Sequence, residues 1–266
     1  MSSSEPSGPW RVVGASVCGL SHERLGRPCQ DAHCWRLVSP GDVLVAAVAD
    51  SVGSAELGEV GAEIAARTAV GAVCRDLADG VLPGEEGFWA ARLKAAVAEA
   101  LDAVNHEAAQ RAVPPRALAS TLILVVASPQ GAAAAQVGDG AAVVAHDAEL
   151  TALTTPDTGE YLNETIFLVS PGALDRVQFR LHEGPVHHLA LFSDGLEMLA
   201  LKMPAGVPHG PFFAPLFRFA GQAAEPEAAR GDLERFLLSP RVRERADDDL
   251  TLLLAALGER SGSGAT

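Results

Sequence analysis

The chain has 266 residues, 48% of them hydrophobic, and a formal net charge of −14. That apolar content fills a core and excludes wholesale disorder. The acidic balance repels phosphate backbones and argues against nucleic acid as a partner.

In chain order, residues 1–9 form a Ser/Pro/Gly arm expected to be flexible, 10–258 a single domain, and 259–266 a flexible tail. Strand-length apolar runs are predicted at 11–18 and 43–49, with room for another strand after Asp31. Apolar positions 62, 65, 66, 69, 70, 73, 74 and 77 then repeat at helical spacing, as do 89, 93, 96, 97, 100, 101 and 104. Both stretches predict long helices with one buried face. Further strands are expected at 121–127, 133–137, 141–145, 165–169, 188–193 and 250–256, a short helix at 195–201, and another helix near 227–238. The run 121–127 is apolar on both faces, so it should be covered on both sides.

These elements read as an α+β fold with sheets inside and helices outside. A doubly wound sheet or two subdomains are the alternatives, and the irregular alternation of strands with helices disfavours the former. No apolar run approaches the ~20 residues that span a membrane, and MSSSEPSGPW lacks a signal-peptide core. A soluble, cytoplasmic protein without membrane attachment is expected. Cys18, Cys29, Cys34 and Cys74 form no CxxC and read as buried or idle thiols.

Aspartates recur where strands meet loops. Asp50 ends VLVAAVAD, Asp139 ends AAAAQVGD, Asp194 follows LALFS, and Asp247, Asp248 and Asp249 precede LTLLLAAL; Asp31 sits in RPCQDAHC. A single aspartate at such a place is often turn chemistry. Several on one rim would repel by about 4 kcal/mol per pair at ~4 Å and an effective dielectric near 20. They must then protonate or hold a cation. Oxygen-only ligation suits Mg²⁺ or Mn²⁺, and two such ions can activate a water against phosphorus. The small residues Ser51, Gly53 and Ser54 would let a backbone carbonyl reach an ion.

At these residues the chain resembles the metal-dependent serine/threonine protein phosphatases of the PPM family, type 2C, over roughly Arg11 to Ala256. GRPCQDAHC, AVADSVGSAELGEVGAEIAA, ASTLILVV with QVGDGAAVV, LALFSDGLEML and DDDLTLLLA resemble five family motifs in the family's order. GEYLNETIFLV resembles a bacterial branch. The resemblance implies a four-layer α-β-β-α sandwich with a central pair of antiparallel β-sheets. It implies a centre of two Mg²⁺ or Mn²⁺ ions bridged by Asp50, with the Ser51 carbonyl on one and Asp194 and Asp248 on the other. Asp139 matches a third, weaker ion site, and Asp31 a residue that orients the attacking water. Attack on phosphoserine or phosphothreonine would be direct, with no phosphoenzyme.

The chain departs from the pattern at several places. Gln30 replaces a usual glutamate beside the metals and is placed with the metal residues, and Ser51 replaces a usual glycine. Val52 stands where some members have a histidine, which leaves water or His22 to protonate the leaving group. Gly26 stands where a phosphate-binding arginine is common; Arg24, Arg27 or His22 would substitute. Asp249 replaces an asparagine and is expected to hold the loop. Asn163, Glu164 and Thr165 either cap a turn or edge the site, and Asn163 is the candidate substrate contact there. His22 is otherwise a surface or capping residue, and His187 and His188 read as strand residues. Phe212, Phe213, Phe217, Phe219 and Trp89 read as core or cover.

The expected activity is hydrolysis of phosphoserine and phosphothreonine in proteins. A Ser/Thr kinase or its targets would be the partner, and the chain is taken as a monomer. A pseudophosphatase that binds phosphoproteins is the alternative, kept open by Gln30 and Gly26; a phosphatase of small esters is a second.

Overall fold

The computed structural model describes residues 9–38, 42–77, 86–156 and 165–258. In chain order these form β1 (Trp10–Val17), α1 (Leu20–Leu25), β2 (Ala32–Val38), β3 (Val43–Ala49), α2 (Gly58–Leu77), α3 (Glu86–Gln110), β4 (Leu122–Ser128), β5 (Gly131–Val137), β6 (Ala141–His146), β7 (Glu149–Ala152), β8 (Gln178–Glu183), β9 (His188–Phe192), α4 (Glu197–Ala200), β10 (Leu201–Lys202), β11 (Val207–Pro208), α5 (Gly210–Gln222), α6 (Pro226–Leu237), α7 (Pro240–Arg243) and β12 (Leu250–Leu257).

Strand alternation explains the layering. In β3, Val43, Val45, Ala47 and Ala49 face a core shared with α2 and α3, while Leu44, Ala46 and Val48 face the other sheet. In β12, Leu250, Leu252, Leu254 and Ala256 face α5 and α6, and Leu253 and Ala255 face inward. Strands buried on both faces read as unbroken apolar runs, and this is why the runs at 43–49 and 250–256 do not alternate. The result is two five-stranded antiparallel sheets, ordered β2-β3-β4-β5-β8 and β1-β12-β9-β6-β7, with helices outside each. This is the expected α-β-β-α sandwich.

Register fixes the functional end. Ala32 pairs with Ala49 at the β2–β3 edge, and Ala141 pairs with Phe192 at β6–β9. Phe192 also pairs with Leu252 of β12. The residues just outside these positions, Asp31, Asp50, Asp139, Asp194 and Asp248, therefore gather at one rim of the sandwich.

The helix stripes lie as predicted. Ala62, Ala65, Ala66, Ala69, Val70, Val73 and Leu77 of α2 are buried, as are Leu93, Ala96, Val97, Ala100 and Val104 of α3. Small residues let α2 approach closely: a Cβ on Gly61 would lie 2.1 Å from the Leu118 carbonyl oxygen. Backbone cannot yield as a side chain tip can, so Gly61→Ala should cost about 1–3 kcal/mol. A shift in the denaturant midpoint with unchanged slope would show it; an unshifted midpoint would refute the close packing.

Other expectations need correction. Residues 165–169 are not a strand: Leu168 and Val169 lie in a turn, and Leu168 plugs the α2/α3 core, its N–H bonded to the Ser120 carbonyl at 2.7 Å. The sequence reading missed β7 and β8, which are edge strands with polar positions. It also missed α5, where Pro211 sits in the first turn and Pro215 inside the helix. Phe213 and Phe217 of α5 are core, over the β12 face, whereas Trp89 packs on the opposite outer layer. Residues 1–8 of the arm, the tail 259–266 and Asn163 lie outside the described residues. Among the described residues no helix is long and apolar enough to cross a membrane.

Candidate metal centre

Both backbone groups of Asp50 are held by Thr121. Its N–H donates to Thr121 Oγ1 at 3.0 Å, and its carbonyl accepts the Thr121 N–H at 2.7 Å. Ser51 then bridges Ser120. The carboxylate has little freedom to leave the rim.

Asp31 lies beside it. Its Oδ2 accepts the Ser193 hydroxyl at 2.7 Å, and Ser193 Oγ accepts the Thr251 N–H at 3.0 Å, so three elements hold one carboxylate. Its Oδ1 is buried with no hydrogen-bond partner, and so is Oδ1 of Asp194. Asp139 accepts a hydrogen bond from the Thr165 hydroxyl. Asp248 is exposed, and its Oδ1 accepts the N–H of Asp249 at 2.8 Å.

Asp249 faces inward and is buried. It accepts the Gly19 N–H at 2.7 Å, the Gln30 N–H at 2.6 Å and His22 Nδ1 at 2.9 Å. It thus holds the loop, as expected, and ties α1 to the β12 entrance. Glycines make this closeness possible: a Cβ on Gly19 would meet the Asp248 carbonyl at 2.2 Å, and one on Gly195 the Asp249 carbonyl oxygen at 2.3 Å. His22, expected on the surface, is instead buried with Nδ1 engaged, and its Nε2 faces Gly53.

The electrostatics follow from burial and like charge. Burial pushes Asp50 well above the usual carboxylate range, and the charges on Asp31 and Asp194 push it further. Burial raises Asp31 to about 7, opposed by the adjacent Asp50 carboxyl and the Ser193 hydroxyl. Burial, then the charge of Asp139, raises Asp194 to about 6. Among the described residues no lysine or arginine forms an ion pair with any of the five rim aspartates. Clustered carboxylates, two of them with orphaned buried oxygens and none with a basic partner, fit a hard divalent cation.

The side chain of Gln30, placed with the metal residues from the sequence, is engaged on the loop after Asp50. Its Oε1 accepts the Ser51 hydroxyl at 3.2 Å and its Nε2 donates to the Ala55 carbonyl at 3.1 Å. The neutral amide braces the loop after Asp50. Arg27 donates to the Gly53 carbonyl of the same loop, and Arg24 pairs with Asp247 at 3.2 Å. Sequence reasoning missed Ser193 and Thr251 as supports; Ser193, next to Asp194 in LFSDG, carried the only local signal for them.

A two-sheet sandwich closing on an oxygen-only carboxylate rim is the architecture of a hydrolase built around divalent cations. The family model described as Protein phosphatase 2C matches residues 18–238, and the chain belongs to that family of protein phosphatases. It is 36% identical over 259 residues to Serine/threonine-protein phosphatase 3 of Escherichia coli (strain K12), covering 94% of this chain and 99% of that one. A bacterial serine phosphatase superposes with a TM-score of 0.62 at 16% identity, covering 94% and 98% of the two chains. The catalytic domain of the serine/threonine phosphatase PstP, solved with 2 manganese ions, gives 0.59 at 19% identity, covering 94% and 99%.

Proposed function

We propose that the chain hydrolyses phosphoserine and phosphothreonine in proteins at this rim. The observation that carries the proposal is a cluster of aspartates without basic partners among the described residues, two of them with a buried oxygen that has no hydrogen-bond partner, in a chain of the 2C family. Asp50, Asp194, Asp248 and the Ser51 carbonyl would hold two Mg²⁺ or Mn²⁺ ions, with Asp139 serving a weaker third. Bound there, such ions neutralise the phosphate and lower the pKa of water.

The chain's own residues do the rest. Asp31 Oδ1 is the unpartnered oxygen that takes the proton of the attacking water, while Ser193 fixes Oδ2. His22 Nδ1–H is committed to Asp249, so His22 would act in its doubly protonated form, giving the Nε2 proton to the leaving oxygen and keeping the one on Nδ1. Arg27 spends one nitrogen on Gly53 and keeps others for phosphate. Asn163 would edge the substrate. Residues 10–258 act as one phosphatase domain. Four unpaired cysteines suit a reducing cytoplasm, where a Ser/Thr kinase or its targets would be the partner.

Release of phosphate from a phosphothreonine peptide, with and without Mn²⁺, tests the reading. Mn²⁺-dependent release is expected; none from folded protein at millimolar Mn²⁺ would defeat it. His22→Gln tests the acid. Turnover of the peptide, a poor leaving group, should fall about 100-fold, and that of an aryl phosphate with a good one should barely change. Equal losses on both substrates would remove His22 from proton transfer.

A further inference from the structure

Among the described residues, two groups of three His, Cys, Asp or Glu bring donor atoms within 4.8 Å of one another. One, His22, Asp248 and Asp249, belongs to the rim. The other is His146, Asp147 and His187. It lies at the opposite end of β6 and β9, about 20 Å from the rim given ~3.3 Å per strand residue.

We propose that His146, Asp147 and His187 form a second cation site, for a borderline transition ion of the Zn²⁺, Ni²⁺ or Cu²⁺ class. The site is built on fixed backbone. His146 ends β6 and pairs with Glu149 across the hairpin. His187 donates its N–H to the Ala145 carbonyl at 2.8 Å and accepts the Leu257 N–H at 2.9 Å, so it is pinned to strands on either side. Asp147 occupies the hairpin turn at φ 53°, a left-handed conformation that aspartate tolerates. His188 takes no part: alternation turns it to the other face, where it stacks on Phe217.

The donor spacing fits one ion. Asp147 Oδ2 is 3.8 Å from His146 Nε2, and Asp147 Oδ1 is 3.7 Å from His187 Nδ1; the two rings lie 4.4 Å apart, centre to centre. Donors bound at ~2.0–2.2 Å to one ion stand between ~3.3 Å apart, when tetrahedral, and ~4.2 Å apart, when opposite. Asp147 is 78% exposed and can close any remainder. Two imidazoles and a carboxylate select differently from the rim: nitrogen donors favour Zn²⁺, Ni²⁺ and Cu²⁺, and oxygen-only donors favour Mg²⁺ and Mn²⁺. Sequence reading took His187 as a plain strand residue because its partners, His146 and Asp147, lie far upstream in another strand and its turn.

Cu²⁺, the tightest binder of the series, is the probe. Full-length protein stripped with chelator and given one equivalent of Cu²⁺ should show two coordinated imidazoles by pulsed electron paramagnetic resonance. Zn²⁺ should compete for the same site, lowering the copper signal only at a large excess because copper binds more tightly. His146→Ala and His187→Ala should each remove one imidazole and weaken Cu²⁺ at least tenfold. Asp147→Asn, which keeps the turn residue's tolerance for this backbone and cannot unfold a core, should also weaken it. Asp194→Asn and His22→Gln should leave the signal intact, and His146→Ala should keep wild-type Mn²⁺-dependent phosphatase activity. A signal that survives His146→Ala and His187→Ala, one that vanishes only in His22→Gln, or no imidazole-bound copper at all would each overturn the site.

Discussion

Asp194→Asn protein should release phosphate from a phosphothreonine peptide at least ~1,000-fold more slowly than wild type, yet melt higher than wild type once both are stripped of metal. The two effects share one cause. Asp194 keeps a buried oxygen with no hydrogen-bond partner and faces the charges of Asp139 and Asp248. Its carboxyl is raised from 3.8 to about 6, so near pH 8 its ionisation costs the metal-free fold on the order of 2–3 kcal/mol. The amide removes that cost and removes with it a charge that a cation needs. A variant that loses activity and gains metal-free stability is behaving as a ligand. Wild-type turnover in Asp194→Asn would refute the assignment, and a metal-free variant that melts lower than wild type would show the carboxylate to be a structural support.

The second large effect is a reversed pH dependence of stability. In a usual protein, carboxylates are held below their unfolded values and acid destabilises. Here Asp31 is raised from 3.8 to about 7, and Asp50 is raised as well. The native state therefore binds these protons more tightly than the unfolded chain. The stability they contribute is complete below about pH 3.8 and drains away as pH climbs through about 7. For Asp31 alone the swing is on the order of 4 kcal/mol, or about 10 °C in Tm for a chain of this size. Metal-free protein should thus melt progressively lower from pH 5 to pH 8, and Mn²⁺ should restore the loss, most fully at pH 8. Because a net charge of −14 also resists compaction at high pH, Asp31→Asn serves as the control and should flatten the profile. A Tm that rises with pH in chelator would mean that the rim is already compensated within the chain.

How much of this was legible beforehand depended on whether the signal was local. The α2 stripe from Ala62 to Leu77 and the apolar run of β3 are written in neighbouring residues, and a period of 3.6 or a two-faced strand can be counted. The five rim aspartates were visible for the same reason: each ends or opens a run. The family motifs then supplied the layers. What stayed hidden needs contacts between distant residues. The His22–Asp249 bond spans 227 positions, and nothing near His22 announces a buried carboxylate. Gln30 and Ser51 each look like a lone departure, whereas in the fold the Ser51 hydroxyl donates to the Gln30 amide and the two changes make one brace. The edge strand β8 and the proline-bearing helix α5 were missed because local polarity and ring chemistry argue against elements that burial in the tertiary structure sustains.

The position of Asp249 also bears on when the enzyme comes into being. β1, the first of the described strands in chain order, is paired along its whole length with β12, the last of them, and the loop carrying Gln30 and Asp31 is anchored from residue 249. A nascent chain still lacking its final strand has one edge of the sheet open and no acceptor for the Gly19 and Gln30 amides. The rim aspartates come from both sheets, so they can gather in this arrangement only once β12 is available to pair. A copy that ends before β12 should therefore show no Mn²⁺-dependent release of phosphate.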